Sequence, residues 1–552
     1  MQITSRTTAV RREVSGEEAL ALGAFRAGVQ LVCGFPGRPG ARTLHLLAAA
    51  GQARGVTAKW NINPTAALEE AVGNSLFGRR SLVCVPGEGV AAAMHALLTV
   101  AATGIRAGLV ILAGDDPGTA EANVELDARS IAALARLPVF EPATPAEGAD
   151  IMEEAFRLSE EYQLPVMVRI VPAYAHMRGE IVVDRLMRTP PLTTCFAREE
   201  GRWRATSAAA QERGERLRWK WERVAESFSH SLFNEVRGSA RRAVVAVGHV
   251  AAEVDDIVGD LAPGHFTLCK METVVPLPSA WLMGVLQSCE EVAVLEEGAP
   301  LVEEALVELA HRRRLAFEVK GRLTGLVPAA SELFRWQLEE ILSKFEPRFA
   351  PARPFFPYEE ASERAPEKGF CTGCPHAVAF RIFKQVLRAV YGDLPPVIVG
   401  DAGCTARAAC QPFGMIDISY NLGSSLSIAK GLAAETSTVP VIAIMGDTAF
   451  YAAGVNSLIE AARERAQMIV VILDNQTSAS TGFQPNQGST YGVQSERFKR
   501  VALEELVSAC GIDLLRVVDP ENETRTRQVF SEALAVDGLR VVVLRSPCPL
   551  IP

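Results

Sequence analysis

Short β-branched runs that end at glycine, spaced by amphipathic stretches, recur along this chain and admit few architectures. Between Glu17 and about Pro172 they read LVCGFPG, SLVCVPGEG, AGLVILAGDD and LPVMVRIV, and beyond Phe370 they read PPVIVGDAGC, VPVIAIMGD, MIVVILDN and LRVVVLRS. Such alternation implies parallel sheets covered by helices, so the fold class is α/β and multidomain. At 552 residues the chain is too long for one core and should divide into roughly three or four domains. We place a first α/β domain at 1–185 and a charged helical linker with Trp203, Trp219 and Trp221 at 186–240. A smaller α/β domain follows at 241–345, then a linker at 346–369 whose Pro351, Pro354, Pro357 and Pro366 block helix continuation, then a last domain at 370–552.

Composition removes several classes of function. Apolar residues at 48% and charged residues at 22% exclude wholesale disorder and fibrous repeats. A net charge of −9, from 56 basic and 65 acidic residues, offers no footprint for a polyanion, so nucleic acid is not expected as a partner. The 198–228 stretch carries charges of both signs that nearly cancel, which reads as a solvated helix with one face docked. No run approaches the ~18 apolar residues of a membrane span, and the start lacks the apolar core of a signal peptide; a cytoplasmic location is expected. Eleven cysteines at wide, irregular spacing do not form a secreted disulfide framework, and clustered ones then point to metal or redox chemistry.

Two constellations in the last domain carry chemistry. The run VIAIM leads into Gly446-Asp447-Thr448, and a second run, IVVIL, ends in Asp474-Asn475. Two strand ends of one parallel sheet can aim Asp447 and Asn475 at one point, where a hard divalent cation accepts oxygen ligands, the main-chain carbonyl of Thr477 among them. Ligands of open α/β sheets bind in the crevice beyond these strand ends, and the pattern is that of thiamine diphosphate enzymes. Cys371-Thr-Gly-Cys374-Pro-His376 opens the same domain, and Cys404 and Cys548 stand at the ends of apolar runs. A CxxC by itself is compatible with a zinc half-site, a redox dithiol or coincidence.

The stretches GDAGC, DISYNLGSSLSIAKGLA, IMGDTAFYAAGVNSLIEAA and VILDNQTSASTGFQP closely resemble the alpha subunits of indolepyruvate:ferredoxin oxidoreductases, a family of the 2-oxoacid:ferredoxin oxidoreductase superfamily. GFPGRPG, WNINPTAALEEAVGNSLFG, AGDDPGTAEANVELDAR and LPVFEPATPAEG extend the likeness to the first domain, and ETVVPLPSAWL and LEEGAPLVEEAL to the middle one. The resemblance implies a pyrimidine-type domain, a transketolase-C-terminal-like domain and a pyrophosphate-type domain, with thiamine diphosphate between first and last. It further implies Mg2+ on Asp447, Asn475 and Thr477, and Gly446, Asn421, Gly423 and Ser424 along the diphosphate and thiazolium; Thr448, Asp401 and His376 join the cofactor-binding group. Cys371, Cys374, Cys404 and Cys548 are implied as ligands of a [4Fe-4S] cluster. Cys510 is the runner-up fourth ligand and Cys410 a competitor; Cys33, Cys84, Cys195, Cys269 and Cys289 read as core residues, and His376 as a support for the CxxC turn rather than a ligand. The implied reaction is oxidative decarboxylation of an aryl or otherwise bulky 2-oxoacid, with the acyl group passing to coenzyme A. Family members continue into a ferredoxin-like tail, whereas this sequence stops at Pro552, so electrons are expected to pass to ferredoxin or another electron-carrier chain. A smaller beta (gamma-type) subunit is implied as partner, in a heterotetramer of two pairs.

Departures from the family cluster in the first domain. Thiamine activation needs a carboxylate at the aminopyrimidine, and its usual glutamate position in Trp60-Asn61-Ile62-Asn63-Pro64 holds Pro64. Glu69 and Glu70 are the nearest substitutes but lie more than a helical turn on, where Glu69 also reads as a helix-surface residue. Arg38 in GFPGRP stands where a threonine usually meets the substrate carboxylate, and can form a bidentate pair with one or stand exposed on its loop. Arg38 and Glu69 are thus the candidate catalytic residues. Pro86-Gly87 replaces a lysine-histidine pair, and Glu121-Ala-Asn123-Val-Glu125 replaces SSQNE. Asp115 and Asp116 read as capping and turn residues. These departures keep open a non-redox thiamine lyase or carboligase, or a degenerate cofactor-binding subunit whose partner does the chemistry.

Overall fold

The computed structural model describes the chain apart from residues 1–9, 119–121, 123, 184–195, 197, 199–201, 206, 260–263, 330–331, 350–368, 393–394, 436–439 and 552. Glu121, Asn123, Cys195 and the linker prolines 351, 354, 357 and 366 lie outside the described residues. The chain divides into two compact units, Met1–Lys59 with Pro64–Glu359 and Trp60–Asn63 with Glu360–Pro552. Among the described residues no helix is long and apolar enough to cross a membrane.

The first unit contains a seven-stranded and a five-stranded sheet. The larger runs in the order Thr273–Val275, Val139–Phe140, Val166–Ile170, Leu109–Gly114, Ser81–Pro86, Leu31–Gly34, Thr57–Trp60. Every residue of Leu109–Gly114 and Val166–Ile170 is buried, because helices cover both faces of a parallel sheet. The smaller sheet runs Glu318–Lys320, Glu291–Leu295, Arg242–Val247, Thr267–Met271, Glu235–Arg237. Two edge strands cross the expected domain boundaries. Thr273–Val275, sequentially in the middle domain, pairs antiparallel with Val139–Phe140, and Glu235–Arg237, expected in the linker, pairs antiparallel with Leu268–Lys270. Edge strands have one neighbour and only three residues here, too little for hydrophobic alternation to register. The charged stretch folds as the helix Ala210–Ser229, burying Leu217, Val224 and Phe228 while Trp219 stays exposed; the Phe228 ring meets Phe140 edge-on at 5.0 Å.

Beneath these elements the first unit buries an ionic network. Arg169 pairs with Asp115 and Glu141, each at 2.6 Å, and Arg129 pairs with Asp127 at 2.6 Å and Glu296 at 2.8 Å. Arg129 also donates to the carbonyls of Glu297 at 2.6 Å and Ala299 at 2.9 Å. Five carboxylates, counting Glu297, thus face these two guanidiniums. Burial pushes Glu296 and Glu297 up to about 7 and Asp115 up to about 6, and holds the neighbouring His249 down at about 4. Asp115 also accepts the Ala128 N–H at the start of helix Ala128–Ala135, and Asp116 the Ala122 N–H, the capping and loop-fixing parts expected of them.

In the second unit the strands are β1 (Val397–Gly400), β2 (Ile418–Ser419), β3 (Val441–Gly446), β4 (Met468–Asp474), β5 (Leu514–Val518) and β6 (Leu539–Arg545). They form one all-parallel sheet in the order β2-β1-β3-β4-β6-β5. The order reverses between β1 and β3, and the crevice at such a switch point is where open sheets bind ligands. Helix α1 (Pro375–Tyr391) precedes β1 and helix α2 (Ser425–Glu435) follows β2.

Candidate functional site

Parallel β3 and β4 end side by side, with Gly446 opposite Leu473, so Asp447 and Asn475 leave the sheet at one edge. Asp447 is buried and accepts the N–H of Thr448 at 2.7 Å and of Gln476 at 2.8 Å, with the Asn486 amide as a further partner. None of these donors is charged, and burial pushes the carboxyl up to about 7, with Asp474 adding to the rise. A buried carboxylate held only by neutral donors fits a cation. Asn475 Oδ1 accepts the Thr477 N–H at 3.1 Å, while the Thr477 hydroxyl donates to the Gln484 carbonyl at 2.9 Å. The Thr477 hydroxyl is thus engaged elsewhere, and its main-chain oxygen is the donor to assign to a metal. A Cβ placed on Gly446 would meet nothing within 4 Å, so there is room above the strand end. Thr448 Oγ1 lies 2.9 Å from Ser478 Oγ and accepts from Asn486 Nδ2 at 3.0 Å. Phe450–Gly454 then forms a single π-turn, an irregularity common at functional sites.

The NLGSS turn packs onto that π-turn. Gly423 adopts φ +82°, and a Cβ there would approach Ala453 Cβ to 2.5 Å, so both conformation and space require glycine. The fully buried Asp401 accepts the N–H of Gly423 at 3.1 Å and of Ser425 at 2.9 Å. Both its oxygens therefore brace the turn at the start of α2, and its part is that of a support. Asn421 and Ser424 remain at the surface of the turn, the Ser424 hydroxyl donating to the Asn421 carbonyl at 2.6 Å. The segment Trp60–Asn63 groups with this unit, and Asn63 donates to the Ala452 carbonyl at 3.3 Å.

The Cys371–Cys374 turn closes through the Cys374 N–H on the Cys371 carbonyl at 3.0 Å, with Gly373 at φ +75°. Cys374 caps α1 and Pro375 occupies its first position, where a missing N–H costs nothing. The Cys374 thiol is raised by burial and also by Cys371 and Cys548; Cys404 is raised to about 11 by burial, with Cys374, Cys548 and Cys371 adding. The four thiols are thus electrostatic neighbours, and all are half-buried. Among the described residues no three His, Cys, Asp or Glu side chains are closed upon a single metal position. As a donor set, four neighbouring thiols fit a cluster that would deprotonate them. Burial alone raises Cys510, whose Sγ donates to the Leu506 carbonyl of its own helix; Cys33, Cys84, Cys269 and Cys289 are buried, as expected of core residues. His376 is buried and donates from Nε2 to the Leu544 carbonyl at 3.1 Å, tying the CxxC turn to the end of β6.

Sequence reasoning missed Arg545. It ends β6 three residues before Cys548, pairs with Asp474 at 2.7 Å and forks onto Glu504 at 2.6 and 3.1 Å. The available signal was an arginine opposite an aspartate at the ends of two apolar strands.

Within the first unit the departures gather. A Cβ on Gly37 would meet Pro86 at 2.5 Å, and one on Gly89 would meet Pro64 at 3.2 Å, so the loop before Arg38, the Pro86 strand end and Pro64 share one neighbourhood. Arg38 is exposed there. Pro64 is buried at the start of helix Pro64–Leu76, while Glu69 is exposed on that helix and Glu70 pairs with Lys59.

Comparison with known proteins agrees with this geometry. Residues 22–224 match the family model described as pyruvate flavodoxin/ferredoxin oxidoreductase, thiamine diP-bdg, and residues 401–544 that of the thiamine pyrophosphate enzyme, C-terminal TPP binding domain. The chain is 30% identical to indolepyruvate oxidoreductase subunit IorA of Methanothermobacter thermautotrophicus over 542 residues, 97% of this chain and 86% of that protein. The IorA of Pyrococcus abyssi is 29% identical, with 97% and 85% covered. A 2-oxoglutarate synthase subunit KorB from Archaeoglobus fulgidus is 23% identical over 33% of this chain and 69% of its own length.

Proposed function

Because this chain belongs to the indolepyruvate oxidoreductase IorA family of thiamine diphosphate-dependent 2-oxoacid oxidoreductases, we propose that it oxidatively decarboxylates an aryl or otherwise bulky 2-oxoacid and passes the electrons through a [4Fe-4S] cluster. The reading is carried by the single sheet edge on which Asp447, Asn475 and the cysteine-bearing segments end. Thiamine diphosphate, when bound, supplies a carbanion and an electron sink at one carbon. Asp447, Asn475 and the main-chain oxygen of Thr477 would hold Mg2+, the open space at Gly446 would admit the diphosphate, and Asn421, Ser424 and Thr448 would meet it with polar groups. Asp401 and Gly423 shape that turn, and His376 steadies the cysteine turn. Cys371, Cys374, Cys404 and Cys548 would hold the cluster, which takes electrons singly.

Arg38, exposed beside Pro86, is the residue we assign to the substrate carboxylate, since a guanidinium binds carboxylates in a fork. Glu69 is the candidate base, although its exposure favours a surface role. A smaller beta (gamma-type) subunit completes the enzyme as a heterotetramer of two pairs in the cytoplasm, ferredoxin or another carrier chain takes the electrons, and coenzyme A takes the acyl group. Pro64 favours a second reading, a non-redox thiamine lyase, because proline neither accepts a proton nor donates a hydrogen bond at the usual carboxylate position.

The two readings separate by assaying the anaerobically purified complex against aryl and aliphatic 2-oxoacids, with and without coenzyme A. We expect a brown protein that reduces an electron acceptor only with the 2-oxoacid present, and that loses both colour and reduction after Cys371→Ser. A colourless preparation that retains thiamine and releases CO2 without reducing the acceptor would favour the lyase.

A further inference from the structure

The end of β6 joins both proposed centres. Its register sets Arg545 opposite Asp474, the residue before Asn475, and the Arg545 Nε pairs with the Asp474 carboxylate at 2.7 Å. Asp474 is 2% exposed, and Arg500, at 3.9 Å, is the more distant of the two cations around it. The other arm of Arg545 forks onto Glu504, in the first turn of helix Leu503–Ala509. The next residue, Ser546, donates its N–H to the Asp474 carbonyl at 3.1 Å, and Cys548 follows two residues later. On the other side, the preceding carbonyl, of Leu544, receives the His376 ring from the CxxC turn. Three consecutive residues therefore hold the strand end that carries Asn475, the tail that carries Cys548 and the turn that carries Cys371 and Cys374.

Resting on the cofactor assignment above, we propose that Arg545 is a positioning residue shared by the two centres: it neutralises Asp474 beside the cation cage and, through its fork onto Glu504, fixes the strand end from which Cys548 projects. The fork needs a planar guanidinium bridging two carboxylates, a geometry a point charge does not supply.

The test uses the full chain purified without oxygen, with iron, acid-labile sulfide, thiamine diphosphate and the visible spectrum measured per chain. Arg545→Met leaves the buried Asp474 without its close partner and with Arg500 at 3.9 Å; iron content and visible absorbance should fall, and the Mg2+ needed to retain thiamine diphosphate should rise about tenfold or more. The pair Asp474→Asn with Arg545→Met carries no unpaired buried charge. It should recover thiamine retention while iron stays low, because the fork onto Glu504 is still missing. A folded Arg545→Met chain with wild-type contents of both overturns the proposal, and so does a paired variant that recovers both or neither. If Arg545→Met does not fold, the paired variant decides. A wild-type chain that retains thiamine but holds no iron would overturn the cluster assignment instead, and leaves the thiamine arm to judge the Asp474 pairing by itself.

Discussion

Asp447 is buried, adjoins a second buried carboxylate at Asp474, and is held only by uncharged donors. In an apolar setting such a group stays ionised only if a cation or several hydrogen bonds favour the charge. Asp447→Ala removes the one charged oxygen donor of the proposed cage, and thiamine diphosphate retained after desalting in Mg2+ should drop to background. Retention equal to wild type in that variant would remove the cage from consideration. Asp401 shows how a similar residue does different work. Also buried and raised to about 6, by burial, it turns both oxygens onto backbone N–H groups and shapes a turn. Both aspartates follow a strand and a glycine and accept two backbone N–H groups; their places separate them, Asp401 spanning the Gly423–Ser425 turn while Asp447 lies beside Asp474 at the strand end that carries Asn475.

Among the elements, the helix Ala210–Ser229 is the one whose charge conceals its packing. Its sequence, rich in arginine and glutamate, shows the mixed charge of a solvated helix, and most of its surface is indeed exposed. Yet Leu217, Val224 and Phe228 form a buried stripe, and Phe228, 1% exposed, lies against both Phe140 and the fold of the first unit. Phe228→Ala should cost about 3–5 kcal/mol, the cavity and transfer cost of a buried aromatic. Urea unfolding with limited proteolysis checks this: a loss under about 1 kcal/mol would mean that the site collapses around the void or that the helix is not docked. The docked face was legible because its apolar residues recur at helical spacing. The edge strands Glu235–Arg237 and Thr273–Val275 were not, since three residues carry no period and their place depends on a partner far along the chain.

For the molecule as a whole, the ionic network of the first unit sets a pH dependence. Glu296 and Glu297 titrate near 7 when folded, above the 4.5 of an ordinary glutamate, so the folded state binds their protons more tightly than the unfolded chain does. Stability from these groups is complete at low pH and is lost as pH rises through about 7. His249 acts oppositely, since its value is depressed to about 4 and its destabilisation by protonation appears only in acid, below about 6.5. The glutamates' fall is thus spread between about pH 4.5 and 7, opposed by the single His249 up to about 6.5 and unopposed from there to 7. Thermal stability should fall from about pH 4.5 to 7 and level off above it, and Glu297→Gln should flatten the fall; a midpoint that rises with pH across that window would contradict the assignment.

The amino-acid sequence by itself determined the parallel sheets, the strand ends that carry Asp447 and Asn475, and the grouping of four cysteines in one domain. Each of these is written in local pattern, and a parallel sheet delivers every strand's carboxyl end to the same edge. Tertiary structure alone decided which charges are buried and what holds them. Arg129 and Arg169 look like surface residues along the chain, because a charge tolerates burial only with a partner; for Arg129 one such partner, Glu296, lies 167 residues away.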